Sequence, residues 1–175
     1  MAQPETTRSI LQVTGADRIN FLQNLVTNDI AKSVLTYTAL LTPQGKYLAD
    51  FFVLVREDDV LIDVAEQLSA ALKKRLIMYR LRADVQVNNI ELDVSCGFGK
   101  PPTGAFSDPR LKALGWRHYG VSSTGIIDWA ELRVEHLIPE TGIELQADKF
   151  ILEMRCEHLN GVDFKKGCYV GQEIT

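Results

Sequence analysis

Residues 34–64 constrain the fold most. They read as three consecutive strands, 34–42, 46–56 and 60–64, separated by turn chemistry. Thr42-Pro43-Gln44-Gly45-Lys46 predicts a hairpin between the first two, and Glu57-Asp58-Asp59 a turn into the third. At residue 66 the period switches. Leu68, Leu72, Leu76 and Tyr79 fall on one stripe, which predicts a helix over 66–81. Strands running together with helices packed against them define an α+β fold with an antiparallel sheet.

The flanking segments follow the same logic. Ile19, Leu22, Leu25 and Val26 predict a helix over 16–27, with Thr14 as its cap. Val85 and Val87, then Ile90, Leu92 and Val94, alternate with polar residues. Asn88-Asn89 between them suggests a second hairpin. Residues 97–110 are a Gly- and Pro-rich loop. A short strand near 114–119 and a helix capped by Asp128 and stopped by Pro139 complete the reading.

A length of 175 residues, with 46% hydrophobic and 24% charged residues, allows a sizeable core without cross-links. The net charge of −4 argues against a broad nucleic-acid footprint. No apolar run approaches the roughly 20 residues that cross a bilayer, so no membrane partner is expected. The N-terminus shows no leader pattern. The three cysteines, Cys96, Cys156 and Cys168, are odd in number and none forms a C-x-x-C pair. A reducing, cytoplasmic setting is the simplest expectation.

Several chemistry-bearing patterns fail. Gly97-Phe98-Gly99 lacks the third glycine of a dinucleotide loop, and Gln44-Gly45-Lys46 lacks the remainder of a P-loop. His118, His136 and His158 do not space with the cysteines as a zinc site, so no metal is expected. Lys73, Lys74, Arg75, Arg80 and Arg82 crowd the end of the second helix. They form either a solvated face or a phosphate or RNA contact.

Two places hold more. Asp50 shares a strand face with Leu48, Phe52 and Leu54. It is either a desolvated carboxylate that holds a ligand or acts as a base, or a residue on a face open to water. The segment Lys165-Lys166-Gly167-Cys168-Tyr169-Val170-Gly171-Gln172-Glu173 brackets a thiol and an aromatic ring between glycines, with lysines alongside. Such a loop allows close backbone approach to a ligand, and nearby lysines favour the thiolate. A structural turn around a buried cysteine is the alternative.

That last segment resembles the K-G-C-[YF]-x-G-Q-E signature of the YgfZ family of folate-binding proteins, relatives of the glycine-cleavage T-protein. Phe21-Leu22-Gln23-Asn24-Leu25-Val26-Thr27-Asn28-Asp29 is similar to the family's helix ending in T-N-D. Leu41-Thr42-Pro43-Gln44-Gly45-Lys46 resembles its first hairpin. Met78-Tyr79-Arg80-Leu81-Arg82-Ala83-Asp84-Val85 and Asp108-Pro109-Arg110 with Leu114-Gly115-Trp116-Arg117 match further stretches.

The resemblance implies a T-protein-like fold. Residues 1–40 and 120–175 would form a folate-binding part, with 41–119 an inserted ferredoxin-like part. A C-terminal barrel domain is expected beyond the chain's last residue. It implies tetrahydrofolate as cofactor, with Asp50 and Glu153 on the ligand and Asn28, Lys166, Gly167, Tyr169, Gly171, Gln172 and Glu173 shaping its site. Cys168 becomes the functional thiol. The implied role is accessory: assembly or repair of iron–sulfur clusters in client enzymes, including tRNA-modifying ones. The implied partners are those clients or assembly factors, with a tRNA contact alongside. A tetrahydrofolate-dependent aminomethyltransferase is the alternative, distinguished by one-carbon turnover. Ala49, where the T-protein has a second acid before Asp50, favours the accessory role.

Overall fold

The structure is a computed structural model that describes residues 7–121 and 127–175. The first six residues, part of the segment without a leader pattern, lie outside the described residues.

The α+β expectation holds. Eight strands and three α-helices are described: β1 (Arg8–Thr14), α1 (Arg18–Gln23), β2 (Leu35–Leu41), β3 (Tyr47–Val55), β4 (Val60–Ala65), α2 (Glu66–Arg80), β5 (Gln86–Ile90), β6 (Val94–Gly97), β7 (Phe106–Ser107), β8 (Trp116–Tyr119) and α3 (Trp129–Glu135). The main sheet runs β2-β3-β4-β1-β5, and a smaller one runs β6-β8-β7. Every strand pairing is antiparallel.

Strand alternation gives the main sheet two buried faces. Ala49, Phe51 and Val53 of β3 pack with Leu72 and Leu76 of α2 and Leu22 of α1. The opposite face presents Phe52 and Leu54, which pack with Leu114, Leu159 and elements of the small sheet. A third cluster joins Ala39, Leu41 and Tyr47 to Leu145, Ile151, Cys156 and Tyr169, so the C-terminal segment covers the β2–β3 end of that second face.

Four expectations are corrected. The first helix spans Arg18–Gln23 only. Val26 instead bridges Leu40 beside the edge strand β2, where backbone pairing outweighs one more helical turn. Thr14 is the last residue of β1, not a cap, and the N-cap residue Asp17 makes no side-chain cap bond. Asn88-Asn89 is not a turn: both lie within β5, opposite Gln12 and Leu11, because the strand runs on to complete its ladder with β1. The expected boundary between 40 and 41 falls inside β2, next to its hairpin with β3. Strands from both expected parts share one sheet, so the chain does not separate there.

Buried charge on the second face was not foreseen. Asp63 of β4 is fully buried opposite Phe52. It receives Arg8 Nε at 2.6 Å and Arg117 Nη2 at 2.9 Å, with the Tyr119 hydroxyl at 3.2 Å. Asp108 holds Arg110 through a two-point contact at 2.8 and 3.1 Å. The Arg117, Arg110 and Arg8 guanidinia stand 3.8, 4.9 and 5.6 Å from the Phe52 ring centre. Burial pushes the Asp63 carboxyl upward, but Arg8 and Arg117 outweigh it and hold it below the ordinary value.

Candidate functional site

The signature segment is built as a mount. Lys166 is buried, and its ammonium donates to the carbonyls of Gln23 and Val26, both at 2.6 Å. Gln23 is the last residue of α1, where helix carbonyls lack partners and favour a cation, and Val26 lies three residues beyond it. Burial lowers the Lys166 pKa to about 8. Tyr169 is buried in the third cluster, and burial raises its hydroxyl above the ordinary value. The Val170 N–H donates to Asn24 O at 3.3 Å. Gly171 sits at φ +85°, and a Cβ there would stand 2.5 Å from Thr42 O. Only glycine allows that approach to the β2–β3 turn. Gln172 is half-buried and Glu173 exposed, in a short 3-10 turn.

Between the anchors at 166 and 169 the chain stands free. Gly167 is exposed, and a Cβ added there would meet no atom within 4 Å. Cys168 is exposed as well, whereas Cys96 and Cys156 are both buried. Burial, with Asp50 and Glu157 adding to it, pushes the Cys156 thiol up to about 12. The expectation that Lys166 would act on the thiol is corrected: its ammonium is committed to the helix carbonyls.

Asn28 is a clip rather than a ligand contact. Its Nδ2 donates to Tyr37 O at 2.9 Å and Asn160 O at 2.5 Å, tying β2 to the C-terminal segment.

Asp50 is half-buried. It lies in the interior strand β3 and accepts three hydroxyls: Tyr47 at 2.6 Å and Thr141 at 2.7 Å on one oxygen, Tyr37 at 3.0 Å on the other. A carboxylate offers about four acceptor positions, so one remains. Asp50 faces a cavity of about 30 Å³ also lined by Arg8, Arg110, Trp129 and Arg133. Glu153 is not there. It is exposed and opens on a separate shallow groove with Val134, Leu137 and Met154. The structure therefore does not bring Asp50 and Glu153 into one cavity.

Sequence reasoning missed the Asp63–Arg117–Asp108 network. Its signal was a lone acid in the apolar run Val60-Leu61-Ile62-Asp63-Val64, a position that demands a buried cation. Among the described residues, no group of three or more His, Cys, Asp or Glu could hold a metal ion.

Comparison with known proteins places these features. No family model matches the chain. It is 30% identical over 96% of its length to a mitochondrial iron–sulfur cluster assembly factor IBA57 homolog of Mycosarcoma maydis, covering 51% of that protein. It is 29% identical, again over 96% of its length, to the human mitochondrial iron–sulfur cluster assembly factor IBA57, covering 59% of it. The chain thus spans about half the length of the curated relatives it matches. A solved structure, the glycine cleavage system aminomethyltransferase T of Bartonella henselae, aligns with 50% of the chain at a TM-score of 0.46 and 19% identity, too partial a likeness to carry an argument. The expectation of a cytoplasmic protein is corrected by these relatives, which are mitochondrial proteins.

Proposed function

We propose that this chain serves iron–sulfur cluster assembly by presenting one thiol, Cys168, to a cluster or to the protein that carries it. The observation that carries the reading is the contrast within five residues. Lys166, Tyr169 and Gly171 are held by the body of the protein, while Gly167 and Cys168 are left exposed. Similarity to the IBA57 assembly factors along 96% of the chain supports it. An exposed cysteine on a fixed backbone suits iron or sulfur contact, because the soft thiolate is the ligating and nucleophilic form. The cluster is cargo here, and the partners are assembly proteins and their client enzymes. We extend the reading to kinship with the YgfZ proteins and to clients that modify tRNA, on the strength of the Lys166–Glu173 signature.

Tetrahydrofolate does not fit the cavity at Asp50. Small-molecule sites measure roughly 300 Å³ or more. The cavity at Asp50 is about 30 Å³, room for a water or two. Asn28 and Lys166 make protein contacts instead. No folate-dependent step is assigned to this chain. Asp50 instead holds Tyr37, Tyr47 and Thr141 together and so fixes the C-terminal segment against β2 and β3.

The test is complementation in cells deprived of the protein, reading the activity of an enzyme with a four-iron cluster. Cys168→Ser is expected to leave that activity at the level of the deprived cells, and Cys156→Ser to restore it. Full restoration by Cys168→Ser would overturn the proposal.

A further inference from the structure

Helix α2 is apolar on the side that faces away from the protein. Its inner face is the expected one, with Leu72 and Leu76 buried against the sheet and Leu68 and Tyr79 packed beside them. On the opposite face, at helical spacing, stand Ala70, Ala71, Lys74, Ile77 and Met78, all exposed, followed by Leu81. Ile77, Met78 and Leu81 are 45%, 54% and 88% exposed. A surface helix ordinarily turns polar residues outward, so a solvated face does not account for these.

Two further features belong to the same ridge. Cations flank it on both sides: Lys73, whose ammonium also donates to Asn89 Oδ1 at 2.7 Å, and Arg80, which also donates to Val85 O at 3.3 Å, on one, and Arg75 on the other, with Lys74 along its crest and the exposed Arg82 just past the helix end. Leu81 closes the helix at φ +47°, a conformation strained for a bulky residue and one that glycine would adopt at less cost. Folding therefore gives no reason for a leucine at that position.

We propose that this ridge lies on an anionic lipid surface, with α2 as an interfacial helix. A convex apolar ridge with cations on both flanks matches a flat negative surface, where aliphatic side chains enter the headgroup boundary and lysine and arginine reach phosphates on either side. RNA would engage the cations and leave the aliphatics unused, and no exposed aromatic ring stands on the ridge for base stacking. Among the described residues no helix is long and apolar enough to cross a membrane, and lying on one requires no such helix. The expectation of no membrane partner is revised to this extent.

The test uses the full chain and vesicles of phosphatidylcholine with or without phosphatidylglycerol, read by co-sedimentation. Association is expected with the anionic vesicles only, weakening as salt is raised. Lys74→Glu with Arg82→Glu should weaken it about tenfold or more. Met78→Glu should weaken it as well, with an unchanged melting temperature. Leu81→Gly separates docking from folding: it should raise the melting temperature and still weaken vesicle binding. No association with anionic vesicles, association indifferent to these changes, or salt-sensitive tRNA binding without vesicle binding would each overturn the proposal.

Discussion

Lys166, beside Cys168 in sequence, donates to the carbonyls of Gln23, at the end of α1, and of Val26 beyond it. Lys166→Met leaves both without that donor and should cost about 1–3 kcal/mol in denaturant unfolding. Its pKa also fixes a sign. Burial lowers it to about 8 from the ordinary 10.5, so between those values the unfolded chain binds more protons than the folded one. Stability of the wild type relative to Lys166→Met should therefore rise as pH increases through that window. A neutral amine keeps two N–H donors for the two carbonyls, so the clip survives deprotonation. The glycines of the signature differ in the same concrete way. Gly171→Ala meets Thr42 O and a positive φ, and should cost about 2 kcal/mol or more. Gly167→Ala meets nothing and should change stability by less than about 0.5 kcal/mol. Paired thermal melts of the two variants check the contrast.

At the scale of elements, the main sheet depends on a buried charge. Arg8 and Arg117 hold Asp63 from β1 and β8, tying the large sheet to the small one. Asp63→Asn removes the carboxylate that Arg8 and Arg117 share and should cost about 3–5 kcal/mol. With the folded pKa of Asp63 held below its ordinary 3.8, its contribution is present above that value and lost as pH falls beneath it. Wild-type melts from neutral pH to below 3.8 should show that loss, and Asp63→Asn should not. The β2, β3, β4 and α2 elements were legible because each shows a clean period bounded by turn residues. The β5 strand was not, since Asn88-Asn89 carries local turn chemistry and only pairing with β1 keeps it extended. The shortened α1 has the same cause, a tertiary bridge from Val26 to Leu40.

For the whole molecule, the candidate site was legible as a segment but not as a set. The signature located Cys168, and the structure leaves it exposed while Cys96 and Cys156 are buried. It could not reveal that Asn28, Lys166 and Tyr169 face protein, because those contacts join residues more than a hundred positions apart. Nor could it reveal that Asp50 and Glu153 open on different depressions. Calorimetric titration of the chain with tetrahydrofolate should accordingly give no saturable binding at micromolar ligand. One thiol of three is mounted for contact. The alkylation rates of the three cysteines in the native chain, followed by peptide mass mapping, measure that exposure. Cys168 should be modified first and alone, with Cys96 and Cys156 reacting only after denaturation. Protection of Cys168, or modification of Cys156 at a comparable rate, would contradict it.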